Sequence, residues 1–285
     1  MSVLVVTSIE ECRGAIARLR SGRRVALVPT MGALHEGHLS LVDLAAERAE
    51  VVVVSVFVNP TQFAPGEDFD RYPRDLERDV RLLAERGASI VFAPDTRTMY
   101  PEPLLTKITM RGITDELEGA HRPGHFDGVL TIVAKLFHVV QPDVAVFGQK
   151  DAQQAAAIRR MVADLDFPIE IVVGPTVREP DGLALSSRNA FLSAADRREA
   201  RALHAALDRA DSLARDGVDD ADRLLEAMRE ELSRHPAIAV DYVAIVERDS
   251  FRPLRRISGP AVAAVAVRVG GTRLIDNVVL NSRER

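Results

Sequence analysis

The chain has 285 residues, 47% of them hydrophobic, with a formal net charge of −5; that length is where a single core gives way to a large unit plus a smaller one. The acidic balance argues against a general nucleic-acid surface, no apolar run reaches the roughly 18 residues a membrane span needs, and the single cysteine, Cys12, excludes an internal disulfide and any cysteine-built zinc site. No basic region followed by an apolar stretch and a cleavage site opens the sequence, so a cytoplasmic protein is expected.

Ser8 and Glu11 make a capping-box pattern, and Ile9, Cys12, Ile16 and Leu19 form one helical stripe behind it. The apolar run Val25 to Val28 then leads through Pro29 into a turn with Gly32, followed by His35, Gly37, His38 and an amphipathic segment from Leu39. This order predicts strand, turn and helix. In an open α/β sheet, the loop leaving a strand's carboxyl end lies at the ligand crevice, and the next helix offers unpaired N–H groups to an anion such as phosphate. On that reading His35 and His38 flank a phosphate site. Two other readings stand beside it: a His-x-x-His metal pair, weakened because Glu36 points off at another angle and no cysteine is near, and a plain turn. Neither G-x-x-x-x-G-K-[ST] nor G-x-G-x-x-G occurs here, so a nucleotide must be held in another way.

Val51 to Val58 reads as a strand buried on both faces, with Asn59 and Gln62 at its carboxyl end, the ligand edge of such a sheet. Pro73 to Arg86 carries the helical stripe Leu76, Val80 and Leu83, ends at Gly87, and is followed by the strand Ser89 to Phe92. Asp75 and Asp79 share one face of that helix, where one reading brings them to a divalent cation accompanying a nucleotide; carboxylates on a solvated helix are usually only that, and they are left outside the site. The stretch from 94 to 124, rich in Pro, Gly and charge, is expected to run over the mouth of the crevice. Arg122 and His125 precede the helix Val129 to Val140, where the arginine suits either an anion or a carboxylate partner. Val144 to Phe147 is the next strand, Gly148 to Asp151 its carboxyl-end loop, and Ala152 to Leu165 a helix with Gln154 in its first turn. Ile169 to Val173 is a further strand, followed by the loop Leu185-Ser186-Ser187-Arg188, whose hydroxyls and guanidinium suit phosphate.

From Ser193 the texture changes to two charged amphipathic helices, about 194 to 216 and 219 to 234. Strands Val240 to Val246, Ala261 to Val269 and Thr272 to Leu280 follow, the last two joined by the hairpin signal Gly270-Gly271. The expected organisation is α/β: a doubly wound parallel sheet over residues 1–180, and a smaller α+β domain over 181–285 able to move over the crevice. Nearly all basic residues are arginine, the lysines being Lys107, Lys135 and Lys150, so a lysine inside a motif stands out as a compact point charge.

The string P-T-M-G-A-L-H-E-G-H from Pro29 to His38 contains the His-x-Gly-His signature of the nucleotidyltransferase superfamily, whose members include class I aminoacyl-tRNA synthetases. The longer string resembles the AMP-forming pantoate–β-alanine ligase family. So, in order, do Val58-Asn59-Pro60-Thr61-Gln62-Phe63, Tyr72-Pro73-Arg74, Arg122-Pro123-Gly124-His125-Phe126, Phe147 to Gln154 and Leu185 to Asn189. The resemblance spans nearly the whole chain. It departs at one point: Gln149 stands where the family's string, similar to F-G-E-K-D-x-Q-Q, has Glu.

What the resemblance implies is a Rossmann-like nucleotide- and pantoate-binding domain and condensation of pantoate with β-alanine through a pantoyl adenylate. ATP enters as a substrate with Mg2+, no tightly bound cofactor or resident metal is expected, and the chain forms a homodimer without nucleic-acid or membrane partners. His38, His35, Lys150 and Arg188 are the implied catalytic residues, with His38 as proton donor. Met31, Gly32, Ala33, Leu34, Glu36, Gly37, Gly148, Gln149, Asp151, Val177, Leu185, Ser186 and Ser187 join them around ATP, and Gln62 and Gln154 hold pantoate. Two rivals are a nucleotidyltransferase with no amine acceptor and a nucleotide-binding regulatory module without chemistry.

Overall fold

The structure, a computed structural model, describes residues 3–67 and 69–280; the outer ends of the two expected units, 1–2 and 281–285, lie outside them. Six parallel strands, β1 (Leu4–Val6), β2 (Val25–Thr30), β3 (Val51–Val56), β4 (Ile90–Phe92), β5 (Val144–Gly148) and β6 (Glu170–Gly174), form a sheet in the order β1-β4-β3-β2-β5-β6. From β2 the chain builds outward through β3 and β4, then crosses to β5 and β6 on the other side. The switch point therefore falls between β2 and β5, and the crevice beyond their carboxyl ends is where such a sheet takes its ligand. The short edge strand β1 lies ahead of the first predicted element and pairs with β4.

Strand alternation sorts the core into two layers. Val25, Leu27, Val53, Ala145 and Phe147 face one side, with α1 (Ile9–Arg20), α6 (His125–Val140) and α7 (Ala152–Asp164). Ala26, Val28, Val52, Val54 and Val146 face the other, with α2 (Glu36–Ala46) and α3 (Leu76–Glu85). The Ser8–Glu11 capping box on α1 is formed. Between β4 and α6, the chain makes only the short helices α4 (Thr96–Met99) and α5 (Glu118–His121), and Gln153 anchors this stretch by accepting the Glu118 N–H and donating to the carbonyls of Ile113 and Glu116.

After β6 come α8 (Ala194–Ala200), α9 (Ala202–Arg215) and α10 (Ala221–Ser233), then the antiparallel strands β7 (Ala239–Glu247), β8 (Ala261–Val269) and β9 (Thr272–Leu280). The single helix expected over 194–216 is interrupted at Arg201. The Gly270-Gly271 turn is formed with φ +54° and +79°, values suited to glycine in a tight hairpin. Ala261, Ala263, Val265 and Val267 of the central strand β8 pack against α9 and α10. Its alternate residues Val262 and Ala264, with Val246 and Phe251, join the core that covers the parallel sheet. A buried ion pair reinforces this seam: Arg273 of β9 donates twice to Glu118 at 2.6 and 2.7 Å, and Tyr242 Oη donates to the same carboxylate at 2.9 Å. Burial works against the Glu118 anion, yet the Arg273 hydrogen bonds hold its carboxyl below the usual carboxylate range.

Candidate active site

The loop from β2 to α2 is shaped by one carboxylate. Asp79, 1% exposed on α3, accepts the N–H groups of Ala33 and Leu34 at 2.9 Å each. It holds Ala33 at φ +51°, a left-handed conformation that costs a non-glycine residue roughly 1–3 kcal/mol. Gly32, at φ +80°, has no room for a side chain, since a Cβ there would lie 2.9 Å from the Asp79 carboxylate. Helical spacing alone makes Asp79 a solvated carboxylate; hydrophobic burial of Leu83 on the same helix instead turns this face inward.

The two histidines at the start of α2 stack with ring centroids 4.1 Å apart. His38 Nδ1 accepts the backbone N–H of His35 at 3.4 Å, which leaves Nε2 to carry the proton. Desolvation, with the Lys150 charge nearby, pushes His35 down to about 4. Desolvation, the neighbouring His35 and Lys150 push His38 down to about 3. Both rings are therefore neutral near pH 7, so they offer N–H hydrogen bonds rather than charge, and Lys150 is the cation beside them. His35 Nδ1 is buried with no hydrogen-bond partner among the described residues. The β2 loop and the β5 loop thus meet at the switch point.

Gln62 ends a 3-10 turn, Pro60–Gln62, that follows β3. Its Nε2 donates to Met31 Sδ at 3.3 Å and its Oε1 accepts from Asn59 Nδ2 at 3.1 Å. Asn59, 1% exposed, also binds the Gly128 carbonyl at 3.2 Å and accepts from Tyr100 Oη at 2.8 Å. The turn lies directly on α6, where a Cβ at Gly128 would sit 2.3 Å from the Thr61 carbonyl oxygen. From the other side, His125 Nδ1 donates to the Gln62 carbonyl at 2.8 Å while its Nε2 accepts from Arg122 at 3.0 Å. Arg122 in turn makes a two-pronged pair with Glu67 at 2.8 and 2.9 Å. Of the two partners open to Arg122 in the sequence, it takes the carboxylate. Burial and the Arg122 charge push His125 down to about 4.

A cleft of about 590 Å³ opens between the parallel sheet and the C-terminal sheet, lined by Lys150, Asp151, Gln154, Ser186 and Arg188 among others. Leu185 donates its N–H to the Val177 carbonyl at 3.0 Å, joining the two loop segments expected near the nucleotide. Ser186 Oγ accepts the Arg188 N–H at 3.3 Å and starts the 3-10 turn Ser187–Phe191. Met31, His35, His38 and Gln62 lie outside the cleft lining. Two side chains expected around ATP point elsewhere: Glu36 pairs with Arg86 at 2.7 Å, and Gln149 Nε2 donates to Asn277 at 2.9 Å. Among the described residues no three His, Cys, Asp or Glu side chains converge as a metal site, and no helix is long and apolar enough to cross a membrane.

A doubly wound parallel sheet, with two neutral histidines just beyond the carboxyl end of β2 and a cleft lined by Lys150 and Arg188, defines an α/β protein of the kind that takes its ligand at the switch point. The family model for pantoate–β-alanine ligase matches residues 4–279. A pantothenate synthetase of Moorella thermoacetica is 53% identical over 277 residues, covering 97% of this chain and 98% of the relative. The crystal structure of pantothenate synthetase from Thermus thermophilus superposes with a TM-score of 0.93 at 48% identity, covering 98% of this chain and 99% of that one. A pantoate–β-alanine ligase from Francisella tularensis, complexed with β-γ ATP and β-alanine, gives a TM-score of 0.79 at 33% identity, with 97% of both chains covered. The chain belongs to the pantoate–β-alanine ligase family.

Proposed function

We propose that the chain condenses pantoate with β-alanine, using ATP and releasing AMP and pyrophosphate. One pantoate carboxylate oxygen attacks the α-phosphorus of Mg·ATP, and pyrophosphate leaves with the electron pair of the broken P–O bond. The β-alanine amine then attacks the acyl carbon of pantoyl adenylate, forming the amide as AMP departs. The observation that carries this reading is the parallel pairing of β2 with β5, which brings the loop bearing His35 and His38 and the loop bearing Lys150 to the same carboxyl edge of the sheet, with the lysine charge helping to depress both rings.

Lys150 and Arg188 supply positive charge to the five-coordinate phosphorus and to pyrophosphate, while His35 and His38 donate hydrogen bonds. His38 Nε2–H is the best oriented donor, because its Nδ1 is occupied by the His35 N–H. Losing one such donor costs about 100- to 1000-fold in rate. Met31, Gly148, Asp151 and Val177 hold adenine and ribose, and the Leu185 to Arg188 loop covers the phosphates. Gln62 and Gln154 bind pantoate without adding charge. Magnesium travels with ATP as part of the substrate. We further propose closure of the residue 181–285 unit over ATP, a homodimer and a cytoplasmic location.

The test is AMP release with each substrate omitted in turn. The reading expects AMP only when pantoate, β-alanine and ATP are all present in catalytic turnover. Nucleotidyl transfer without an amine acceptor, or ATP binding with no turnover, would support one of the two rivals instead.

A further inference from the structure

The loop that carries Lys150 is gripped from the opposite sheet. Asn277 of β9 lends one side-chain nitrogen to two successive carbonyls, that of Gln149 at 3.0 Å and that of Lys150 at 2.9 Å. Gln149 returns the contact, its Nε2 donating to Asn277 Oδ1 at 2.9 Å. Asn277 is 5% exposed, and its N–H donates to Asp276 Oδ1 at 2.8 Å. Asp276, 3% exposed, accepts both prongs of the Arg178 guanidinium. Both N–H groups of the Asn277 amide thus donate, and its oxygen accepts from Gln149.

This pairing has a direction. If Glu occupied position 149, as the related string leads one to expect, its carboxylate would meet Asn277 Oδ1, acceptor against acceptor. Rotating the Asn277 amide to repair that contact would turn its oxygen onto the two carbonyls. Gln149 is therefore matched to Asn277 in this chain.

We propose that Asn277 is a positioning residue for Lys150, with Gln149 as its partner. The aim of the ammonium group is set by a strand of the C-terminal sheet, and docking of that sheet completes the site. The inference rests on the role of Lys150 given above. Peptide units at 149 and 150 left without their donor lose a fixed direction, and displacement of a catalytic group by about 1 Å is enough to cost on the order of 100-fold in rate.

The experiment is a kinetic double-mutant cycle on the full chain with Asn277→Ala, Asn277→Asp and Lys150→Ala, alongside thermal melts. Asn277→Asp keeps the acceptor for Gln149 and removes both donors. Each Asn277 variant should lower kcat roughly 10- to 100-fold while the KM values for ATP and pantoate move by less than about threefold. In the Lys150→Ala background, the same substitutions should cost less than about twofold, because their effect passes through the lysine. If Asn277→Ala fails to fold, Gln149→Glu reads the same contact from the other side in the same cycle. Full additivity with Lys150→Ala, or wild-type kcat in Asn277→Asp, overturns the inference alone. Near wild-type kcat in Lys150→Ala overturns the role of Lys150 and the inference together.

Discussion

Asp79 holds Ala33 in a left-handed conformation by accepting its backbone N–H at 2.9 Å, so helix α3 dictates the loop that leads into His35. The second carboxylate oxygen takes the Leu34 N–H, and Arg78 donates to the Leu34 carbonyl at 3.0 Å. Asparagine at position 79 would keep one acceptor and turn an NH2 group toward an N–H. Asp79→Asn should therefore lose about 1.5–3 kcal/mol in urea unfolding and raise the KM for ATP more than that for pantoate. Unchanged stability together with an unchanged ATP KM would remove Asp79 from the site's support.

Gln62 and Gly128 give a paired test of the acid pocket. If Gln62 binds the pantoate carboxylate as proposed, Gln62→Ala removes a hydrogen bond to a charged group, worth about 1.5–3 kcal/mol, so pantoate KM should rise about tenfold or more with ATP KM nearly constant. Gly128→Ala pushes a methyl group to 2.3 Å from the Thr61 oxygen, and overpacking of this kind costs about 1–3 kcal/mol. It should shift the Pro60–Gln62 turn and raise pantoate KM in the same direction. Equal losses for ATP and pantoate in Gln62→Ala would show that the amide serves the nucleotide instead.

Acid sensitivity follows from three depressed histidines. His35 and His125 are held at about 4 and His38 at about 3, against 6.5 for each ring when exposed. Between those values and 6.5 the unfolded chain binds more protons than the folded one, so stability rises with pH across that window. The contribution is complete above about pH 6.5 and is lost as pH falls toward 4. Urea midpoints should drop steadily from pH 7 to pH 4.5, and a His125→Asn variant should show a shallower drop. A midpoint that rises on acidification over this range would contradict the burial of neutral rings.

The sheet and most of its helices were legible because both periodicities are strong: Val51–Val56 has no polar break before Ser55, and the Ser8–Glu11 box marks a helix start by local chemistry. Sequence spacing also brought His35, His38, Lys150 and Gln62 to carboxyl-end loops, since each lies just after a strand. What it hid was partnership across the chain. Asp79 with Ala33, Glu118 with Arg273 and Asn277 with Gln149 are separated by 46, 155 and 128 positions, and no local pattern records a contact of that range. The edge strand β1 was hidden for another reason: it has three residues, of which Leu4 and Val5 are exposed and Val6 alone is buried, too few for an alternation to show.

The measurement that bears most directly on the chemistry is exchange of labelled pyrophosphate into ATP with pantoate present and β-alanine withheld. Reversible formation of pantoyl adenylate predicts exchange that depends on pantoate, proceeds without β-alanine, and falls by on the order of 100-fold in Lys150→Arg, whose planar fork replaces a compact ammonium group. Exchange that requires β-alanine, or that persists at the wild-type rate in Lys150→Arg, would contradict an adenylate made at the meeting of the β2 and β5 loops.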